Sequence, residues 1–241
     1  MDYLERARRV FEIELAEASA TAARLDSQFI LAVDLIRDAL ERRNKVVVLG
    51  VGKSGTIGEK IAATLTSTGS TAVVLNSLNA LHGDLGIVAD GDVVLALSYS
   101  GETQELLSVL PAVVRFGLPI IALTGDKNST LAKAASAVLD VSVSQEACPL
   151  NLAPTSSTTS MLILGDALAM VLLESRGFRK EDFAKYHPGG SLGRSLLLRV
   201  NQIMRKIDEL ALISPAAPVV EAIQAMTKYR TGAAVVVNED E

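Results

Sequence analysis

Two short loops decide the fold that we predict: Gly50–Gly55 (GVGKSG) and Ser98–Thr103 (SYSGET). The first follows the apolar run Val46–Leu49, the second follows Val93–Leu97, and a helical pattern comes after each loop. This arrangement is typical of two parallel strands that end in loops and lead into helices. Backbone N–H groups and hydroxyls at the N-terminus of a helix bind anions, phosphate above all.

The first loop is the weaker of the two signals. Lys53 comes too early for the lysine of a P-loop, and tight turns need glycine whether or not they bind phosphate. We expect neither a P-loop nor a dinucleotide site, and the choice between a bare turn and an anion site stays open for this loop alone. Because the second loop is rich in hydroxyls, the two loops taken together favour a phosphate-binding site. The predicted phosphate ligands are Gly52, Ser54, Ser98, Ser100 and Thr103.

The composition predicts a soluble protein with an aliphatic core. Hydrophobic residues make up 49% of the 241-residue chain and aromatic residues only 4%, which suits a buried parallel sheet of Val, Leu, Ile and Ala. The formal net charge of −5 argues against a nucleic-acid partner, because such a partner needs a basic surface. Cys148 is the single cysteine, so no internal disulfide can form and a reducing cytoplasm is expected.

No association with a membrane is expected. The N-terminal residues include acids and no apolar core, so they do not resemble a signal peptide. The longest apolar stretch, Met161–Leu173, is interrupted by Asp166 and is too short to cross a bilayer. We therefore predict a cytoplasmic protein.

After an N-terminal pair of helices, the chain alternates between strand and helix patterns. Residues 2–43 predict the two helices, the second capped by Asp26 or Ser27. The alternation is typical of an α/β fold with a doubly wound, five-stranded parallel sheet. In the flavodoxin-like strand order 2-1-3-4-5, the switch point lies between strands one and three, which carry the two loops. The predicted strands lie near 45–50, 71–75, 92–97, 119–123 and 137–143, and the helices near 54–68, 102–116 and 129–136.

The C-terminal part of the chain changes character near residue 198, after a long apolar helix predicted at about 155–176. The remainder predicts a strand, a helix over 219–228 and a strand over 233–237. This tail resembles the opening half of a CBS module, a small domain that often occurs in pairs; a C-terminal βαβ decoration is the alternative. We therefore predict an α/β domain over 1–197 and a partial CBS domain over 198–241, with the chain ending inside that module.

Both histidines, His82 and His187, occupy polar, glycine-rich loops. Functional groups concentrate in such segments, although a histidine is often structural or merely solvated. The two histidines and Cys148 lack the spacing of a zinc site, so we predict no metal.

Four carboxylates lie near the predicted strand ends, where α/β folds bind their ligands: Asp84, Glu102, Glu105 and Glu146. The dipole of the helix that Glu102 begins is a sufficient account of that residue. Glu105 lies one turn deeper and has the simpler interpretation of a solvated acid. The hydroxyl cluster Thr155–Thr159 could serve catalysis, but capping of the long helix accounts for it more simply.

Several motifs together resemble one family. The pattern Ser-x-Ser-Gly-x-Thr of the second loop resembles the phosphate-binding signature of sugar isomerase (SIS) domains. The long segment that begins at Glu146 resembles the D-arabinose-5-phosphate isomerases in particular, and the resemblance covers about residues 1–205. The matching segments are Gly50–Gly55, His82–Gly86, Ser98–Thr103, Glu146–Leu150, Ala153–Thr159 and His187–Arg194.

This resemblance implies the interconversion of D-ribulose 5-phosphate and D-arabinose 5-phosphate, which supplies the Kdo sugar of bacterial lipopolysaccharide. It also implies that no cofactor is needed, and it implies a homotetramer in which the segment around His187 reaches a neighbouring subunit's site. The catalytic residues by matched position are Lys53, His82, Glu105, Glu146 and His187.

The implied reaction moves a carbonyl between C1 and C2 through a cis-enediol. It needs a base for the C–H proton, a proton shuttle between the two oxygens, and a cation or donor that stabilises the enediolate. Glu105 or Glu146 could be the base, and Lys53 could stabilise the charge. His82 or His187 could shuttle protons or open the arabinose ring. The alternatives are an SIS isomerase for another phosphosugar and a non-catalytic sugar-phosphate sensor.

Overall fold

The computed structural model describes residues 2–238. The chain forms two compact units, which divide after His187. This division comes earlier in the chain than the predicted domain boundary between residues 197 and 198. The first unit contains the sheet and both loops, and the second contains the C-terminal tail.

A five-stranded parallel sheet forms the centre of the first unit, with the order β2-β1-β3-β4-β5. The predicted fold class and strand order are therefore confirmed. Gly50 at the end of β1 is level with Asn76 of β2 and with Leu97 of β3, so the loops after these strands begin at the same edge. The strands are β1 (Val46–Gly50), β2 (Ala72–Asn76), β3 (Val93–Leu97), β4 (Ile120–Thr124) and β5 (Ala137–Asp140).

Helices cover both faces of this sheet, because alternate residues of each buried strand point to opposite sides. Val46 and Val48 of β1 join the core formed with α2, α3 and α8, whereas Val47 and Leu49 join the core formed with α5, α6 and α7. A 3-10 turn spans Asp84–Ile87. The helices are α1 (Tyr3–Ala23), α2 (Ser27–Glu41), α3 (Gly52–Ser67), α4 (Ser77–Ala80), α5 (Gln104–Leu107), α6 (Leu110–Arg115), α7 (Thr130–Ala134), α8 (Ser156–Ser175) and α9 (Lys180–Tyr186).

The helix predicted over 102–116 is two helices, α5 and α6. Pro111 lies in the first turn of α6 and has no N–H to donate to the carbonyl of Leu107, so the helical hydrogen-bond ladder is interrupted there. The fifth strand is also shorter than the predicted 137–143. It ends at Asp140, whose side chain accepts the N–H of Ser142 (2.9 Å) and turns the chain.

Two side chains of the N-terminal helices complete backbone hydrogen bonds. Asp26, one of the two predicted caps, accepts the N–H of Gln28 (2.9 Å) and caps α2. The side-chain oxygen of Gln28 accepts the N–H of Val138 (3.1 Å) on the edge strand β5. The N–H of Val138, which points away from the sheet at its β5 edge, therefore has a hydrogen-bond acceptor within the chain.

By length and composition alone, α8 is one helix among residues 2–238 that could cross a membrane. The prediction that this apolar stretch is too short to cross a bilayer is therefore wrong. The helix is packed against α1, α2 and α3. Half of its most apolar window is buried inside the protein. Asp166, which interrupts the apolar stretch, pairs with Lys60 of α3.

The second unit contains a small parallel sheet with strand–helix–strand connectivity. Its helix and its last strand overlap the ranges predicted for them, 219–228 and 233–237. Leu212 pairs with Val235 and Ile213 with Val236. Residues 239–241 of the predicted domain lie outside the described residues. The elements are α10 (Ser191–Leu197), α11 (Val200–Ile203), a 3-10 turn (Ile207–Glu209), β6 (Leu212–Ile213), α12 (Val219–Tyr229) and β7 (Val235–Val236).

A buried carboxylate, Asp92, ties the start of β3 to the start of β1. Its oxygens accept the N–H of Ala89 (2.8 Å), the N–H of Lys45 (3.1 Å) and the ammonium of Lys45 (2.7 Å). Burial alone would raise the pKa of Asp92, but the hydrogen bonds from Lys45 and Ala89 and the charge of Lys45 outweigh it and hold the pKa below its ordinary value of 3.8.

We predict that Asp92→Asn lowers the free energy of unfolding by about 1–3 kcal/mol at neutral pH, because a charge-assisted network loses its charge. A lowered pKa stabilises the fold above the ordinary value and loses that contribution as the pH falls through the lowered one. The loss of stability below about pH 4 should therefore be shallower in Asp92→Asn than in the wild type. Urea unfolding at several pH values measures both effects, and identical acid slopes would contradict the assignment.

Candidate active site

A cavity of about 420 Å³ lies where the loops after β1 and β3 meet, which is the switch point of the sheet. The loop after β5 and the N-terminal turns of α8 complete its wall. The lining residues are Lys53, Ser54, Tyr99, Ser100, Thr103, Val143, Ser144, Gln145, Glu146, Asn151, Leu152, Pro154, Ser157, Thr158 and Met161.

The loop after β3 is shaped by its own hydroxyls. The Ser98 hydroxyl is buried, accepts the N–H of Gly101 (3.1 Å) and pairs with the Thr103 hydroxyl (2.8 Å). The Ser100 hydroxyl accepts the N–H of Glu102 (3.2 Å). Ser100 and Thr103 line the cavity, whereas Ser98 lies beneath the loop and holds it in shape.

Glu102 acts on a different helix from the one expected. Its carboxylate accepts the N–H of Thr130 (2.7 Å), the first residue of α7, and α5 begins only after Thr103. The favourable interaction of this acid with a helix N-terminus therefore belongs to α7. This contact also fixes the loop that carries Ser100 against the neighbouring loop.

The loop after β1 is compact because its glycines approach each other closely. A Cβ on Gly50 would lie 2.9 Å from the Cα of Gly55, and Gly52 has a φ of +57°. Val51, at the N-cap of α3, offers no side-chain hydrogen bond to the first turn, so the N–H groups there are left for an anion. Ser54 is half-buried and Lys53 exposed at the cavity wall.

The glycine spacing of this loop is G-x-G-x-x-G, which dinucleotide-binding loops also have, so the pattern itself does not exclude a dinucleotide. Those sites use a carboxylate at the end of the second strand to bind the ribose. Here β2 ends in Asn76, whose side chain caps α4 by accepting the N–H of Leu78 (2.9 Å). The ribose-binding acid is therefore replaced by a residue that is already engaged.

Glu146 contributes a carboxylate to the cavity that the two loops line. Its Oε2 accepts the N–H of Thr155 (2.7 Å), the hydroxyl of Thr155 (3.0 Å) and the N–H of Ser157 (3.3 Å). The carboxylate is thus held at the N-terminus of α8. Burial alone would raise the pKa of Glu146, but hydrogen bonds from Ser157 and Thr155 outweigh it and lower the pKa below the ordinary value of 4.5.

Three side chains near α1 hold this wall in place, and the sequence analysis did not find them. Glu17 is buried and accepts both the N–H (3.0 Å) and the hydroxyl of Ser144. Arg24 donates to the carbonyl of Ser142 (2.5 Å), and Glu14 accepts the hydroxyl of Thr159 (2.7 Å). A helix with many charges usually predicts a solvated face, so nothing in the pattern marked these residues.

Three of the predicted catalytic residues, His82, Glu105 and His187, do not line this cavity within one chain. His82 and Glu105 are exposed, the first in the turn after α4 and the second on α5. The His187 ring stacks on Phe183 with 3.9 Å between ring centroids and lines a separate cavity with Glu59 of α3. Within residues 2–238, no group of three His, Cys, Asp or Glu side chains is placed to hold a metal ion.

Comparison with known proteins gives the family. The model of the SIS domain family matches residues 39–171. Arabinose 5-phosphate isomerase KdsD of Pseudomonas aeruginosa is 47% identical over 239 residues, which are 99% of this chain and 72% of that protein. Arabinose 5-phosphate isomerase GutQ of Escherichia coli K12 is 46% identical over 229 residues, 95% of this chain and 70% of that protein. The chain belongs to the arabinose 5-phosphate isomerase family of SIS-domain proteins.

A solved structure supports the same kinship. The protein c3406 of E. coli CFT073, solved in complex with arabinose 5-phosphate, superposes with a TM-score of 0.74 at 37% sequence identity. The match covers 78% of this chain and 98% of that chain.

We predict that Gly101→Ala destroys the loop after β3. Gly101 has a φ of +66°, and a Cβ there would collide with the Ser129 side chain, which caps α7 through the N–H of Ala132. Gly117→Ala is the matched control, because Gly117 has a φ of +68° and nothing within 4 Å of an added Cβ. The control should lose about 1–2 kcal/mol of unfolding free energy, which is the cost of the backbone strain alone.

Gly101→Ala should lose more than the control and should no longer be stabilised by inorganic phosphate. Thermal unfolding with and without phosphate measures both effects. Equal losses in the two variants would show that contact with Ser129 does not restrict residue 101.

Proposed function

We propose that this chain is an aldose–ketose isomerase that interconverts D-ribulose 5-phosphate and D-arabinose 5-phosphate through a cis-enediol, and so supplies Kdo for lipopolysaccharide. The observation that carries the proposal is the cavity at the switch point. It brings two anion-type loops and the half-buried carboxylate of Glu146 to one cavity, within a chain of this family. A phosphosugar needs both ends of such a site, one for the phosphate and one for the reacting carbons.

The phosphate end consists of the two loops. Ser54 and Gly52 offer a hydroxyl and a backbone N–H at the N-terminus of α3, and Ser100 and Thr103 offer hydroxyls at the cavity wall. Ser98 supports these contacts from below through its bond to Thr103. Each charge-assisted hydrogen bond to phosphate contributes about 1.5–3 kcal/mol to binding.

The reacting end is the wall that carries Glu146. In the direction of aldose formation, a base removes a proton from C1 of the ketose, the electron pair forms the C1=C2 bond of the enediolate, and a proton is delivered to C2. The proton of the C1 hydroxyl moves to a base as the new C1 carbonyl forms, and O2 is protonated. Glu146 lies at the cavity as an ionised carboxylate, and Lys53 supplies the positive charge that stabilises the enediolate.

The site is completed by a neighbouring subunit in this proposal. His187 lies at the end of the first unit, away from its own cavity, and His82 and Glu105 are exposed. α1 also exposes a row of apolar side chains, including Tyr3, Phe11 and Leu15. Burial of such surface between copies favours a closed symmetric oligomer, which we propose to be a tetramer.

The remaining parts of the proposal concern location and domain organisation. We propose a cytoplasmic enzyme with no membrane or nucleic-acid partner, and no metal or organic cofactor in the reaction. Residues 1–197 form the isomerase domain and 198–241 a partial CBS domain. The strand–helix–strand order of β6, α12 and β7 supports the second assignment.

The first test follows the reaction in deuterated water. D-ribulose 5-phosphate should be converted to D-arabinose 5-phosphate with deuterium at C2, because the proton delivered to C2 comes from a group that exchanges with solvent. Glu146→Gln should lower kcat by about 10²–10⁴-fold if this carboxylate takes part in proton transfer. NMR of the products measures both position and rate, and the absence of arabinose 5-phosphate from the wild type would end the proposal.

Substitutions in the phosphate loop should act differently. Ser100→Ala and Thr103→Val should mainly raise KM, because they remove binding that substrate and transition state share. Thr64→Val is the matched control, since within residues 2–238 the Thr64 hydroxyl bonds only to the carbonyl of Lys60 in α3. A large fall in kcat with an unchanged KM would contradict a role in phosphate binding.

A mixing experiment tests the shared site. His187→Ala and Glu146→Gln should each be nearly inactive, and subunit exchange between them should restore part of the activity, because some sites then receive both wild-type residues. Mixtures of each variant with itself provide the control. Full activity in a proven monomer, or no recovery despite confirmed exchange, would overturn the sharing.

A further inference from the structure

Thr155 is bonded to two parts of the Glu146 wall at once. Its backbone N–H donates to Glu146 Oε2 (2.7 Å), its hydroxyl donates to the same oxygen (3.0 Å), and its hydroxyl oxygen accepts the N–H of Ala147 (2.8 Å). One side chain therefore joins the carboxylate to the backbone from which that carboxylate extends.

The direction of these bonds is determined by counting protons. A hydroxyl has a single proton to donate. Because the oxygen of Thr155 accepts from the N–H of Ala147, its proton is free to go to Glu146. The arrangement needs a hydroxyl at the N-cap of α8, and neither a hydrophobic residue nor a carboxylate at position 155 would reproduce it.

Asn151 fixes the other side of the same segment. Its side-chain oxygen accepts the N–H of Glu146 (2.7 Å), and its own N–H donates to the carbonyl of Cys148 (2.8 Å). Asn151 has a φ of +52°, a region that asparagine tolerates better than most residues. The side chains of Asn151 and Thr155 thus both bind the backbone at the start of the segment 146–155.

The consequence concerns the second carboxylate oxygen. The bonds from Thr155 and from the N–H of Ser157 to the Glu146 side chain all end on Oε2. The buried hydroxyl of Ser157 also acts on this carboxylate and lowers its pKa. We infer that Thr155 is a positioning residue, which holds Oε2 at the N-terminus of α8 so that Oε1 is presented to the substrate. This inference rests on the proposed isomerase function.

Other ionisable groups near Glu146 must be separated from it in any pH experiment. Backbone N–H groups of Ala153, Leu152 and Leu150 lower the pKa of the Cys148 thiol. Glu17 binds Ser144, two residues before Glu146. The groups that line the cavities on either side of Glu146 are Lys53, Tyr99, Arg6, Arg9 and Cys148.

The test compares Thr155→Val, Thr155→Ala and Thr155→Ser with the control Thr64→Val, all in a Cys148→Ser background that removes the thiol. The Val and Ala variants should lower kcat for D-ribulose 5-phosphate by about tenfold or more while KM changes by less than about threefold, because the phosphate loops are untouched. The acid limb of the kcat profile should move to higher pH, since a donor to the carboxylate is lost. Thr155→Ser should restore both values.

Several outcomes would overturn the inference. One is a wild-type pH profile in Thr155→Val or Thr155→Ala. Another is a fall in kcat with no shift of the acid limb and no recovery in Thr155→Ser. If both the Val and the Ala variants fail to fold, Thr155 serves the fold and not the position of the carboxylate.

A direct titration separates this inference from the function on which it rests. Glutamate labelled with carbon-13 at the carboxyl group reports the pKa of Glu146 by NMR, and Glu146→Gln identifies its signal. A higher pKa in Thr155→Val supports the inference even if the wild type isomerises no phosphosugar. An unchanged pKa overturns it even if the wild type is active.

Discussion

The parallel pairing of β1 with β3 is the constraint on which the site depends. The chain leaves β1 toward one edge of the sheet and leaves β3 toward the other, so the loops after these strands diverge and leave a crevice between them. Gly50 and Leu97 are level in the register, and so the two loops begin at the same height. A shift of the pairing by one residue would reverse which side chains of a strand face each helical layer.

Electrostatics at the crevice work on both of its walls. The two loops present N–H groups and hydroxyls, which favour a negative ligand. Glu146 adds a negative charge to the same cavity, and N–H groups at the start of α8 stabilise that charge. The negative charge of Glu146 is therefore compensated by the N–H groups at the start of α8, which leaves the N–H groups and hydroxyls of the two loops for a negative ligand. Lys53 lines the same cavity.

Strands and their order could be predicted from the sequence, because runs such as Val93–Leu97 are apolar throughout and are separated by glycine-rich loops. The break at Pro111 is encoded by a single residue, and the helical periodicity that continues across it predicts one helix instead of two. The bond between Glu17 and Ser144 joins residues far apart in the chain, and no local pattern encodes such a contact. The position of His187 relative to the cavity likewise depends on tertiary and subunit packing, which periodicity does not report.

The hydrogen bond from Val138 to the side chain of Gln28 limits how copies of this protein can join. An edge strand with free N–H groups is a template on which another strand can add. Continuous growth of a sheet through many molecules requires two available edges on each molecule, and here the β5 edge has one of its donors occupied from within. Pairing through the other edge strand, β2, would join β2 of one copy to β2 of a second copy, and such a pairing stops at two copies. An internal bond to a donor of the β5 edge therefore disfavours the open-ended, edge-to-edge growth that leads to fibres.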